Sequence, residues 1–134
     1  MFNNRIFQID STEIAKILQE SRQRSAICFV EIYGKGIQSW KDFISEVEKK
    51  LKFPTTCIDS IDRYLDWIRD LSWLDKDEYM IIIYDYHEFM KKDSRLKNEI
   101  IEDFEDIILP WWQQEVEVCV MGWKAKPFNL YLVD

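Results

Sequence analysis

Three features of the 134-residue chain predict an α/β fold built on a small parallel sheet. Short runs rich in β-branched and aromatic residues, such as Ala26–Tyr33 (AICFVEIY), alternate with stretches whose apolar residues recur at helical spacing. Met80–Asp85 (MIIIYD) opens with an unbroken apolar run, the pattern of a central strand covered on at least one face and paired in parallel. Gly and Pro number only three each, which favours long regular elements over linkers. The length suits one domain. A composition that is 47% apolar and 15% aromatic is globular rather than disordered.

The elements follow in order. Arg5–Ile9 reads as a short strand. Asp10 with Glu13 three residues on has the spacing of a capping box, and Ile14, Ile17 and Leu18 continue a helix to about Gln23. Ala26–Tyr33 is the next strand, broken by Gly34 and Gly36. Ser39 can cap a helix whose stripe is Trp40, Phe43, Ile44, Val47 and Leu51, ended by Pro54. A further helix is predicted over Ile58–Leu71, with Ile61, Tyr64, Leu65, Ile68 and Leu71 inward. After the Met80–Asp85 strand comes a helix over Ser94–Leu109, ended or kinked at Pro110. Val116–Met121 and Phe128–Val133 alternate like strands, and Gly122–Pro127 is long enough for a hairpin connection or a crossover.

Charge narrows the function classes. There are 18 basic and 25 acidic residues, a net charge of −7. Binding to nucleic-acid phosphates requires basic surface, so the balance favours a cationic partner or plain solubility. Three widely spaced cysteines, Cys28, Cys57 and Cys119, form neither a disulfide framework nor a zinc site, and reduced thiols are expected. The first ten residues lack the apolar core of a signal peptide, and no apolar run approaches the length that spans a bilayer. A cytoplasmic protein that is a monomer when free and has no membrane partner is the expectation.

Asp59, Asp62, Asp66 and Asp70 are spaced 3, 4 and 4, which gathers them on one face of the Ile58–Leu71 helix, opposite its apolar side. Like charges at this spacing cost ~0.2–0.5 kcal/mol per pair. The comb is either an ordinary solvated face or a set of carboxylates that docks into a basic cleft. Arg63 and Arg69 lie at its margins, placed to pair with some of the acids. A second cluster, Glu99, Glu102, Asp103, Glu105 and Asp106, joins the same negative field if its helix packs beside the first. Trp111 and Trp112 suit packing at a helix end, or an interface. The single histidine, His87, makes a poor metal site, and a nucleophile pair with Cys57 or Cys119 has no motif context. No phosphate loop, nucleophile elbow or zinc-helix motif occurs, so no enzyme, metal or cofactor is expected.

The stretch Ile37–Asp70 (IQSWKDFISEVEKKLKFPTTCIDSIDRYLDWIRD) resembles the barstar family, intracellular inhibitors of barnase-type ribonucleases. The resemblance rests on a helix ending in Phe53-Pro54, a short loop, and a helix carrying Asp62-x-x-x-Asp66. Met80–Phe89, Ser94–Ile107 and Phe128–Val133 match the family's second strand, last helix and last strand. The resemblance implies a three-stranded parallel sheet packed with helices, and a loop and helix that plug the ribonuclease active site, their acids standing in for RNA phosphates. It assigns the central carboxylates to Asp62 and Asp66, a loop acid to Asp59 and an acid of the last helix to Asp106; Thr56 and Trp67 complete the candidate interface. Where the family usually carries two aromatics and then Gly-x-Asn, this chain has Thr56-Cys57-Ile58-Asp59-Ser60. Residues 1–25 are then a strand–helix extension on a barstar-like domain of residues 26–134, with an extra C-terminal strand in Val116–Met121. The implied function is inhibition of a ribonuclease or ribonuclease toxin, that of an immunity protein. The alternative is an acidic interaction module with a basic partner that is not a ribonuclease.

Overall fold

The computed structural model describes residues 2–24 and 26–134; Met1 and Ser25, both in the predicted 1–25 extension, lie outside the described residues. The elements are β1 (Ile6–Ile9), α1 (Ser11–Ser21), β2 (Ile27–Tyr33), α2 (Trp40–Lys50), α3 (Ile61–Ile68), β3 (Glu78–Tyr84), α4 (Ser94–Asp103), α5 (Val116–Cys119) and β4 (Phe128–Val133). The strands form one sheet in the order β1-β4-β3-β2, and every pairing is parallel. Such a sheet needs cover on both faces, because its connections run back as helices.

The register shows how the two-residue period builds the layers. Ile6, Leu130, Ile81 and Val30 are aligned across the four strands and face the larger core, formed with α2, α3 and α4. One residue further along, Phe7, Tyr131 and Ile82 face the opposite side, where Ile14 and Leu18 of α1 cover the sheet. The result is three layers: one helix, the sheet, and the remaining helices. β3 lies inside the sheet with Met80, Ile81, Ile82 and Ile83 all buried, so its unbroken apolar run serves both faces. The predicted capping box is present: Glu13 N–H donates to Asp10 Oδ1 at 2.8 Å, and Asp10 N–H reaches Glu13 Oε1 at 3.4 Å.

Three expectations need correction. The helix predicted over Ile58–Leu71 is confined to Ile61–Ile68, so Asp59 precedes it and Asp70 follows it. Ile61, expected inward, is exposed on its first turn. The C-terminal helix is the second case, since Pro110 does not end it. Its backbone is helical (φ −62°, ψ −35°), and the chain stays helical from α4 to α5 through π-helical turns at Phe104–Ile108 and Trp111–Glu115. Wider turns on either side accommodate a residue that lacks an N–H. Val116–Met121 is the third: it is not a strand, because Val116–Cys119 is the last turn of this helix. Only Val116 reaches the core, one helical turn beyond buried Trp112, whereas Val118 is 86% and Met121 98% exposed. Packing of Trp112 and Val116 on one face overrides the β-branched alternation. With no strand before it, the Gly122–Pro127 segment is not a hairpin but the approach to a parallel strand.

Candidate protein-binding face

The face is built from the end of α2, the loop at residues 51–60, and α3. Leu51 caps α2, and Lys52 turns the chain out with a left-handed φ of 54°. Glu48 then organises the loop from below. Its carboxylate accepts the Thr56 hydroxyl at 3.0 Å and the Cys57 N–H at 2.8 Å. Cys57 is fully buried, and burial first, then the charge of Glu48, pushes its thiol up to about 11. Its buried side chain anchors the loop, and burial disfavours the thiolate form. From the side, the Trp40 indole N–H donates to the Cys57 carbonyl at 3.2 Å, and the Trp67 indole N–H to Thr55 Oγ1 at 3.0 Å. Arg63 reaches back from α3 to the Thr56 carbonyl at 2.9 Å and to Asp59 Oδ1 at 3.0 Å. The loop is thus held by both helices, without a glycine.

Ser60 caps α3 by accepting the Arg63 N–H at 3.0 Å. Tyr64 and Ile68 face the core, and Leu65 is half-buried. Asp62 and Asp66 project into solvent four residues apart. Their surroundings differ. Asp66 pairs with Arg69 at 3.3 Å, as Asp59 pairs with Arg63, and Asp70 accepts the Ser72 N–H at 3.0 Å. The Asp62 carboxylate has no ion pair or hydrogen bond among the described residues. Of the four predicted acids, two stand on the helix and one of these is uncompensated.

The tandem tryptophans end this helix rather than their own. Trp111 and Trp112 donate their indole N–H groups to the carbonyls of Arg69 and Ile68 at 2.8 and 3.0 Å, satisfying acceptors that a helix C-terminus leaves open. Arg69 also lies over the Trp111 ring, 5.5 Å from its centroid. These contacts pack the C-terminal helix beside α3. Asp103 is close enough to the fully buried Tyr64 for its charge, after burial itself, to raise the phenol. Burial first, and then Glu99, Glu102 and Asp106, raise the Asp103 carboxyl in turn. Within the second acidic cluster the carboxylates thus act on one another, and through Asp103 the cluster reaches the core side of α3 at Tyr64. Asp106 is exposed on the first π-helical turn.

Of the predicted interface residues, Thr56, Asp59, Asp62, Asp66 and Trp67 come together on the loop and α3. Trp67 is half-buried edge-on against Trp73, and its exposed area is small beside its bracing of the loop. Sequence patterning misses the loop-holding roles of Glu48 and Trp40, because they depend on contacts 9 and 17 residues away in sequence. His87 is remote from this face: its Nδ1 lies 2.7 Å from Asp134 Oδ1. Among the described residues no group of three His, Cys, Asp or Glu side chains is placed to hold a metal ion, and no helix is long and apolar enough to cross a membrane.

Comparison with known proteins decides the family. The model of the barstar family, described as barnase inhibitor, matches residues 27–122. The chain belongs to the barstar family. The matched barstar region runs from β2 past α5 and contains the whole loop–α3 face. Barstar family members are inhibitors rather than enzymes. No curated protein sequence matches the chain. Among solved structures, the Aeropyrum pernix ORC2 protein, in ADPNP and ADP complexes, superposes with a TM-score of 0.51 at 10% identity. That alignment covers 97% of this chain and 34% of the other, so this barstar-family chain spans about a third of the ORC2 chain's length; the likeness is one of fold alone.

Proposed function

We propose that the chain inhibits a basic ribonuclease or ribonuclease toxin by seating the loop and α3 in its cationic active site. The family match supports the class, and the observation that carries the mechanism is that Asp62, unpaired, and Asp66, in an exposed pair with Arg69, both face solvent on a helix next to a loop held by α2 and α3. A rigid loop loses little entropy on docking. A carboxylate set against arginine makes short, charge-assisted bonds. Asp59 and Asp106 extend the acidic field, while Thr56 and Trp67 hold the loop in shape. Such an inhibitor works in the cytoplasm, monomeric until it meets its target, and needs no cofactor. Residues 1–25 act as an extension to a barstar-like unit of residues 26–134, in which β1 adds an edge strand and α1 covers one face of the sheet, away from the partner.

One observation favours a second reading. Thr56 and Cys57 take the place of the family's loop aromatics, and Cys57 is buried, so the aromatic part of a ribonuclease contact is missing here. The same face would then serve a basic protein of another kind. Titration of the purified chain into assays of barnase, and of basic ribonucleases from the source organism, separates the two. Stoichiometric loss of RNA cleavage is expected with at least one of them. Full activity of every ribonuclease at saturating chain, with a basic non-nuclease bound instead, overturns the inhibitor reading.

A further inference from the structure

We propose that the cleft between the loop after α3 and the segment leading into β4 binds a free α-amino acid with an aromatic side chain. The cleft has a volume of about 340 Å³, within the ~300–1,000 Å³ of small-molecule sites. Asp70, Asp75 and Asp77 line one wall, and buried Trp112 lines it from the core side. The other wall carries Trp123, Lys124 and Lys126, which lie beyond the residues that the barstar family model matches. The walls are fixed by the fold. The Asp77 N–H donates to the Ala26 carbonyl and the Lys126 N–H to the Trp112 carbonyl, both at 2.9 Å, and the Ala125 N–H donates to Glu117 Oε2 at 2.7 Å. Two of the lining groups already have partners. Asp70 Oδ1 accepts the Ser72 N–H, and Lys126 Nζ donates to the Lys76 carbonyl at 2.6 Å while lying over the Tyr79 and Trp112 rings. The Asp75 and Asp77 carboxylates, the Lys124 ammonium and the Trp123 indole N–H have no ion pair or hydrogen bond among the described residues.

Two unanswered acceptors thus stand on one wall and two unanswered donors on the other, with indole rings between them. A zwitterion with a ring is the complement. Its ammonium donates to Asp75 and Asp77, its carboxylate accepts from Lys124 and the Trp123 N–H, and its side chain packs on the indoles. Other occupants fit worse. A phosphate or other anion would meet three carboxylates. A metal ion lacks its ligand set, since no three of the described carboxylate, thiol or imidazole groups are placed to hold one. A purely apolar molecule would take water from the charges and leave them unpaired. A simple amine would answer the aspartates but set a like charge beside Lys124.

The test titrates the full chain with L-phenylalanine and follows the indole N–H signals by NMR. Saturable shifts are expected at Trp123 and Trp112. L-phenylalanine amide, which lacks the carboxylate, N-acetyl-L-phenylalanine, which lacks the ammonium, and glycine, which lacks the ring, should each bind about tenfold more weakly. The two capped forms also stand for the ends of a peptide, so they separate a free amino acid from a chain terminus. Substitutions should act on one end of the probe at a time. Lys124→Gln should weaken L-phenylalanine by at least about threefold and leave the amide unchanged. Asp75→Asn with Asp77→Asn should weaken L-phenylalanine and the amide and leave the acetyl form unchanged. Glu20→Gln, remote on α1, should alter none of them. Asp75, Asp77 and Lys124 are exposed, and unchanged amide spectra elsewhere will report an intact fold. The proposal is overturned if L-phenylalanine gives no saturable shift at Trp123, if a capped form or glycine binds as tightly, or if the charge substitutions leave its affinity unchanged. The cleft shares no lining residue with the proposed inhibitory carboxylates of α3, so ribonuclease inhibition is read separately and its outcome does not bear on this site.

Discussion

Asp62 and Asp66 share a helix face, yet a partner meets them in different states. Asp66 arrives already paired with Arg69, but an exposed pair of this kind is worth only ~0–1 kcal/mol and is readily exchanged for a better one. Asp62 arrives unpaired. Asp62→Ala and Asp66→Ala are therefore each expected to weaken the ribonuclease complex by about 3–5 kcal/mol, because the partner's cation is left buried without its counter-charge. Calorimetric binding to a ribonuclease that the chain inhibits measures this, and wild-type affinity for both variants would reduce α3 to a solvated face. Glu48 acts one step back. It accepts from Thr56 and from the Cys57 N–H, so Glu48→Ala leaves a buried donor unanswered. A loss of about 1–3 kcal/mol in urea unfolding is expected, together with weaker binding from a loosened loop. Equal urea midpoints for the variant and the wild type would show that the loop is held by the other bonds alone.

At the scale of elements, close approach and carbonyl satisfaction set the boundaries. Gly34 follows β2, where a Cβ would stand 2.7 Å from the carbonyl oxygens of both Tyr84 and Asp85 and 2.9 Å from the Phe89 Cβ. The turn after β2 and the turn after β3 are thus packed backbone against backbone. Gly34→Ala should cost about 1–3 kcal/mol, since backbone must move to admit the methyl. At Gly36 a Cβ would meet nothing within 4 Å, so alanine should be accepted there within about ±0.5 kcal/mol. Thermal unfolding of the two variants is the comparison, and equal melting temperatures would contradict it. α3 ends at Ile68 for a similarly specific reason: Trp111 and Trp112 take its last carbonyls, and Leu71 then turns the chain with a left-handed φ of 54°.

Across the whole molecule, a net charge of −7 and the crowding of acids around Asp103 have consequences for both association and stability. Approach of a basic partner should be steered by the field and should slow steeply as salt shortens the Debye length, which is ~8 Å at physiological ionic strength. Stopped-flow association rates over a salt series test this; a flat response would exclude steering. The same crowding of acids acts on the fold. Asp103 has its carboxyl raised by burial and then by Glu99, Glu102 and Asp106, whereas in the unfolded chain it titrates in the ordinary range. The folded state therefore holds the proton more tightly. Its contribution favours the fold below the ordinary carboxylate range and is lost as pH rises through the raised value. Asp103→Asn should raise the melting temperature near neutral pH, and the gain should vanish in acid. Calorimetric melting across that range measures it, and a gain that persists in acid would assign the effect to packing.

The sequence by itself determined the α/β class, the buried β3, the Asp10–Glu13 capping box and the outward position of Asp62 and Asp66. Each of these depends on a local period or on a partner within one turn, and local periods survive whatever packs on them. The tertiary structure decided where α3 stops, how far the last helix runs, and what holds the binding loop. Trp111 and Trp112 meet α3 from 42 and 44 residues away, and no window of sequence contains both ends of such a bond. The alternation of valines after Pro110 pointed to a strand, but the packing of Trp112 and Val116 against the core outweighed that propensity. The seam between α2 and α3 is of the same kind: Trp40 and Phe43 meet Tyr64 edge-on, and the Trp40 indole N–H reaches the Cys57 carbonyl, contacts between residues far apart in sequence that only the folded chain brings together.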